Sequence, residues 1–102
     1  MAAAAADLGD AHAALADHDW ARAHEIAGAL AADRPTDPDV LVALAEALWW
    51  LGRIDECIAA RERAFEAFEE RGDFRAAIHV AARVFDDHNF KARPAIAQAW
   101  LR

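Results

Sequence analysis

Two histidines and two acids of the types used in acid–base catalysis are spread along this sequence: His12, His79, Glu46 and Asp86. Imidazole and carboxylate groups can exchange protons with a substrate when they converge on one site. These four lie far apart in the chain, so only a groove shared by several helices would bring them together. The motifs of known catalytic centres do not accompany them, and we therefore expect no catalytic residues and no enzyme.

Nucleophilic and metal chemistry have little support in the sequence. The chain has no serine, and its single cysteine, Cys57, falls on the packing face of a predicted helix, where a thiol acts as a small apolar group. His12, His18 and His24 follow one another at intervals of six residues, which does not place two ligands on one helix face. The run Asp86–His88 is expected to be a solvated cluster at a helix end. We predict no metal and no cofactor.

The charge balance limits the class of partner. The formal net charge is −7 over 102 residues, and Lys91 is the only lysine. Nucleic-acid binding depends on clustered basic side chains, so we expect no direct contact with nucleic acid. The opening Met1–Ala6 lacks the basic start and strongly apolar middle of a signal peptide, and no apolar run reaches membrane-spanning length. A lone cysteine fits a reducing compartment. These features predict a cytoplasmic protein that does not contact a membrane.

The elements that must position these residues are helices, because alanine is the commonest residue and glycine and proline are rare. Apolar residues recur every three or four positions, which is typical of amphipathic helices. In the predicted fifth helix, the inward positions are assigned to Ala77, Ile78, Ala81, Val84 and Phe85. A turn at Lys91–Pro94 is then expected before a last helix. The predicted helices cover about 7–16, 20–33, 38–51, 54–71, 74–88 and 95–102.

A repeat underlies this pattern. Trp20-x-x-Ala23 returns thirty-four residues later as Ile54-x-x-Cys57, each on a short turn that leads into a helix. A self-match at such a period indicates stacked helix pairs. The chain resembles the tetratricopeptide repeat family at these residues: Leu41, Leu44, Ala45, Leu48, Gly52, Ile54, Cys57 and Ala64 in the middle repeat, and Ala11, Ala14, Trp20, Ala23, Leu30 and Pro35 in the first.

The resemblance implies an all-α fold, a right-handed array of about three antiparallel helix pairs in a single domain over residues 1–102. The approximate repeats are 5–37, 38–72 and 73–102, with the last incomplete. The best register of this last repeat is a spacing of forty residues from the second repeat, which pairs Ile54 with Pro94 and Cys57 with Ala97. The segments 45–56 and 72–77 look like the tetratricopeptide segment of large bacterial LuxR-type transcription regulators, which implies a sensor or scaffold role in transcription regulation.

In this family the first helices of successive repeats line a concave groove that receives a partner peptide or helix. The resemblance therefore implies a non-catalytic protein-binding module. The alternative is a small helical protein whose groove binds an apolar small molecule or performs acid–base chemistry on it. Exposed ends of the array are a third possibility, as sites of self-association. The predicted partner-binding groove comprises His12, Leu15, Val42, Glu46, Trp49, Trp50, His79, Arg83, Asp86 and Phe90.

Trp49 and Trp50 are the most informative pair in that groove. Adjacent residues of a helix point about 100° apart, so both cannot enter the same core contact. One interpretation places one tryptophan in the core and lays the other flat on the next repeat, covered by the fifth helix. The other makes one of them an aromatic anchor for a partner, since tryptophan is enriched at binding hot spots.

Overall fold

The computed structural model describes residues 6–101, and side chains over residues 6–92. This part of the chain contains five helices and no strand, which confirms the all-α class. None of its helices is long and apolar enough to cross a membrane. The helices are α1 (Leu8–Ala16), α2 (Trp20–Asp33), α3 (Pro38–Trp50), α4 (Ile54–Arg71) and α5 (Phe74–Leu101).

Short polar residues begin four of these helices. Asp7, Asp19, Asp37 and Asp73 each accept a hydrogen bond from a backbone N–H in the first turn of α1, α2, α3 and α5. Those amides have no partner within the helix, so each aspartate satisfies a group that would otherwise lack one. Pro38 occupies the first turn of α3, where a missing N–H costs nothing.

Two glycines end the third and fourth helical segments by reversing the chain. Gly52 and Gly72 have φ angles of 76° and 77°, in the left-handed region that glycine adopts without strain. In each turn the next residue donates its N–H back into the helix, from Arg53 to Leu48 and from Asp73 to Phe68. The turns between α3, α4 and α5 are therefore fixed by these two residues.

The predicted turn at Lys91–Pro94 is wrong, because α5 continues unbroken from Phe74 to Leu101. This segment has no glycine of the kind that reverses the chain after α3 and α4. Pro94 removes one N–H from the helix, but it supplies no left-handed residue to turn the backbone. The register that paired Ile54 with Pro94 required a new helix there and is not realised.

The helices pack in chain order around four clusters of small and medium apolar side chains. α1 contacts α2 and α3, α2 contacts α3, α3 contacts α4, and α4 contacts α5. Alanines occupy many of the closest positions, including Ala11, Ala27 and Ala64, each fully buried. Leu41 of α3 joins Phe68 of α4 and the inner side of α5 in one of these clusters. The fifth helix is therefore part of the same core as the two helix pairs before it.

The inner side of α5 differs from the predicted one. Ala77 and Val80 are buried and Val84 is half-buried, whereas Ile78 and Phe85 are 69% and 67% exposed. Ala81 is exposed as well. The helix carries two apolar stripes, and α4 covers the stripe that contains Val80. The prediction was correct for Ala77 and Val84 and wrong for the other three residues.

A pair of glycine substitutions separates backbone conformation from packing. A Cβ added at Gly72 or at Gly28 would meet no atom within 4 Å, but only Gly72 has a positive φ. We expect Gly72→Ala to lower the free energy of unfolding by about 1–2 kcal/mol, because an L-residue is strained there. Gly28→Ala, in the middle of α2, should raise it by about 0.5–1 kcal/mol. Urea unfolding followed by circular dichroism measures both, and equal effects would contradict this account.

Candidate functional site

An open groove separates α3 from α5. Within the described residues, no Cα pair of these two helices comes within 8 Å, although α1 and α3 do approach that closely. Two depressions lie along the groove. One, of about 170 Å³, is lined by Val42, Glu46, Arg61, His79, Val80 and Arg83, and the other, of about 500 Å³, is lined by Trp49, Trp50, Gly52, Ile54 and Phe90. We call the space that contains both the α3–α5 groove.

The apolar end of the groove is built from aromatic rings. Trp49 is half-buried and packs against the core cluster that includes Leu48 and Cys57. It meets Phe90 of α5 edge to face, with ring centroids 4.8 Å apart. Trp50 is 53% exposed and stacks at 5.0 Å on Trp20, the first residue of α2. One tryptophan therefore packs under α5 and the other lies flat on the preceding helix pair.

Trp50 is held in that orientation by a hydrogen bond of its own and by a further contact of Trp20. Its indole Nε1 donates to Glu46 Oε1 at 3.1 Å, one turn earlier in α3. Trp20 in turn stacks on His18 at 5.1 Å, and His18 sits in the turn before α2 with a φ of 59°. The result is a column of three rings whose outer member, Trp50, keeps about half of its surface exposed at the mouth of the groove.

The polar end of the groove is formed by an ion pair between its two walls. Arg83 Nη2 of α5 lies 3.6 Å from Glu46 Oε2 of α3, and Val42 and His79 line the same depression. Both charged side chains are partly exposed, so screening by water makes this contact weak. Because the two charges are opposite, they contribute little net charge to this end of the groove.

The structure brings together seven of the ten predicted groove residues and leaves three outside the two depressions. His12 and Asp86 are exposed, on α1 and on α5. Leu15 is half-buried and packs on core residues that include Ala14 and Ala23. The seven that line the depressions are Val42, Glu46, Trp49, Trp50, His79, Arg83 and Phe90.

Beneath the groove lies a buried polar cluster that the sequence pattern does not predict. Arg61 of α4 has a side chain that is only 7% exposed, and Asp87 of α5 is 2% exposed. Arg61 Nε lies 3.0 Å from Asp87 Oδ2 and donates to Cys57 Sγ at 3.2 Å. Asp87 was expected in a solvated cluster at a helix end. It is buried because α5 does not end there, and because its charge is compensated by Arg61.

Cys57 takes part in this cluster as a neutral thiol. Its Sγ lies 3.6 Å from Asp87 Oδ2, to which it donates. Burial raises the pKa of the Cys57 thiol above its ordinary value, and this outweighs the hydrogen bond from Arg61, which lowers it. The burial predicted for Cys57 is therefore confirmed, and a thiolate nucleophile is not favoured at this position.

In this part of the chain, the side chains that could bind a metal or perform acid–base chemistry do not converge on one site. Among the described residues, no group of three or more histidine, cysteine, aspartate or glutamate side chains is placed to share a metal ion. Of the four acid–base candidates, only Glu46 and His79 line the same depression. The groove therefore offers apolar surface and a carboxylate, Glu46, that is paired with Arg83 at 3.6 Å and with Arg61 at 3.7 Å.

Two antiparallel helix pairs and a further helix, stacked in chain order around an open groove, define a helical repeat protein. The sequence model of the family described as tetratricopeptide repeat matches residues 14–69, from the end of α1 to the end of α4. The chain belongs to this family. The comparison with curated proteins gave no match, and the comparison with solved structures gave none either.

The buried ion pair can be tested with a neighbouring residue as its control. Asp87→Leu leaves the Arg61 charge buried without its closest partner, and we expect it to lower the free energy of unfolding by about 3–5 kcal/mol. Asp86→Leu changes an exposed carboxylate next to it and should have an effect within about 0.5 kcal/mol.

A double variant separates the ion pair from the packing around it. Arg61→Met combined with Asp87→Leu should destabilise by less than the sum of the two single changes, because neither charge is then left alone. Chemical unfolding of the parent chain, the two single variants and the double variant measures this. Strict additivity would mean that the two side chains do not act as a pair.

The state of Cys57 predicts its reactivity. A buried, protonated thiol should react with a disulfide reagent on the order of 100-fold more slowly than the same thiol in unfolded chain, because the thiolate is the nucleophile and access requires opening. Absorbance at neutral pH follows the reaction with and without urea. Rapid reaction of the native protein would show that the thiol is accessible.

Proposed function

We propose that this protein binds an apolar segment of a partner protein, a peptide or helix, in the α3–α5 groove. The observation that carries the proposal is the aromatic end of the groove, where Trp50 keeps 53% of its surface exposed although it is fixed by Trp20 and Glu46. A rigid aromatic side chain loses little conformational freedom on binding. Membership in a family of interaction modules supports the same function.

The shape of the groove favours a polypeptide over a small molecule. Small-molecule sites are concave, bury most of the ligand and converge a few polar groups on it. Here the two depressions lie in line along α3, and the larger one is lined almost entirely by apolar residues. A partner segment could place an apolar side chain against Phe90 and Trp50 while its backbone reaches Glu46 and Arg83. A small apolar ligand remains the alternative.

Some finer features of this function stay predictions. The resemblance to LuxR-type regulators supports a sensor or scaffold role in transcription regulation, carried out through a protein partner without direct contact with nucleic acid. The three repeats at 5–37, 38–72 and 73–102 and a cytoplasmic location stay predictions as well, as does self-association through the ends of the array.

Substitutions in the groove should weaken partner binding selectively. Trp50→Ala combined with Phe90→Ala removes the two exposed rings of the aromatic end, and we expect it to weaken binding by at least tenfold, since truncated aromatic hot spots cost about 2 kcal/mol or more. Trp49 is retained because it packs on the core. Partners are captured on the immobilised protein from the native host, identified by mass spectrometry, and their affinities measured with purified components.

Leu51→Ala is the control, because Leu51 is 38% exposed and lines neither depression of the groove. It should leave the affinity of the groove partner within about twofold, and circular dichroism should show all variants folded. A partner that binds the double variant as tightly as the parent chain would rule out the aromatic end as its site.

A further inference from the structure

A second apolar surface lies on the side of α5 that faces neither α4 nor the groove. Phe74, Ile78 and Phe85 are 63%, 69% and 67% exposed, and Ala81 between them is exposed too. We call these four residues the α5 outer face. Single exposed apolar residues are ordinary, but a contiguous row of large ones on one helix marks an interaction surface.

The spacing of this row fits another helix. Its members follow one another at intervals of four, three and four residues, which is the heptad spacing by which two helices pack side by side. Ala81 leaves a shallow place between Ile78 and Phe85 that a large side chain of a facing helix can fill. A β-strand or an extended peptide would instead need an exposed sheet edge or pockets at a period of two.

The α5 outer face continues into a depression beside α4. This cavity, of about 340 Å³, has Phe65, Ala81 and Val84 as its apolar lining and Glu62 and Glu66 on the α4 side. A helix laid along the α5 outer face would therefore contact α4 with one edge. It would cover Phe65, which is half-buried, and bring that edge against the two carboxylates.

The charge of the α4 edge specifies the chemistry of the occupant. Glu62, Glu66 and Glu69 are exposed at spacings that place them on one side of the helix. Within the described residues, none of the three forms an ion pair. A partner helix with lysine or arginine along the edge next to α4 would meet opposite charge, whereas an acidic edge would be repelled.

We propose that the α5 outer face and the adjoining edge of α4 bind an amphipathic helix of a partner protein, with basic residues flanking its apolar stripe. A second copy of this chain fits less well. Two copies paired antiparallel through α5 about a two-fold axis would place the acidic α4 edges on the same side of the interface. In a parallel pair as in an antiparallel one, each chain carries a net charge of −7, and neither supplies a basic edge to the glutamates. This surface is separate from the α3–α5 groove.

A pair of designed peptides tests the proposal. Both have about three heptads with leucine and isoleucine at the core positions, and they differ only in lysine or glutamate at the flanking positions. We expect the basic peptide to bind the full chain at least tenfold more tightly than the acidic one, measured by fluorescence anisotropy. Its affinity should fall as salt concentration rises, because the flanking contacts are exposed.

Variants then locate the site. Ile78→Glu should weaken the basic peptide at least tenfold without unfolding the protein, since the side chain is exposed, and Phe85→Glu provides an independent second test. Glu62→Lys with Glu66→Lys should reverse the preference between the peptides. The same change in net charge through Glu25→Lys with Asp33→Lys, both exposed on α2, should leave the preference for the basic peptide intact.

Any of five results would overturn the proposal. Equal binding of the two peptides, or none, would remove the charge complementarity, and unchanged binding by Ile78→Glu and Phe85→Glu would place the site elsewhere. Loss of peptide binding in the groove variant Trp50→Ala with Phe90→Ala would assign it to the groove. A dimer of the parent chain that Ile78→Glu converts to monomer, seen by analytical ultracentrifugation, would identify a second copy as the occupant.

Discussion

The rest of this structure depends on the burial of Asp87 against Arg61 between α4 and α5. A carboxylate that is 2% exposed can remain there only beside its cation, 3.0 Å away, so the pair permits one rotation of α5 about its axis. That rotation directs Val80 and Val84 to the core, His79 and Arg83 to the groove, and Ile78 and Phe85 to the outside. Both proposed binding surfaces therefore depend on this rotation of α5.

Alanine sets the second constraint, which is how closely the helices approach. Ala11, Ala23, Ala27, Ala47 and Ala64 are fully buried where neighbouring helices meet. Small side chains bring the backbones close together but contribute little apolar area each. The larger residues that remain serve two purposes, as Trp49 does when it both packs on the core and forms a wall of the groove. Core and binding surface are therefore continuous in this small protein.

The aromatic residues also connect successive helix pairs. Trp50 of the second pair stacks on Trp20 of the first, and Trp49 meets Phe90 of α5. Each contact spans a boundary between units that are otherwise joined through short turns and apolar clusters. In an open array each unit is stabilised by its neighbours, so side chains that cross the boundaries hold the groove in one shape. Such a groove can present Trp50 to a partner with little further loss of freedom.

Local signals in the sequence determined most of the helices. Asp19, Pro38, Gly52 and Gly72 set boundaries within the range of a few residues, because capping and chain reversal depend on neighbouring backbone groups. The clear apolar stripe of α4 likewise identified its buried side, including Cys57. The same local reasoning failed at Pro94, where a proline weakens a helix but does not supply the residue that turns the chain.

Only the tertiary structure decided which way α5 faces. The sequence 74–87 carries two stripes at helical spacing, one through Val80 and one through Ile78, and apolar periodicity ranks them equally. Which stripe faces the core depends on Arg61, which lies thirteen residues before Phe74. The charge of Arg61 can be buried only if Asp87 turns toward it. Sequence alone therefore determined the family, most of the helix boundaries and the aromatic pair, while a long-range electrostatic contact decided which surfaces the helices expose.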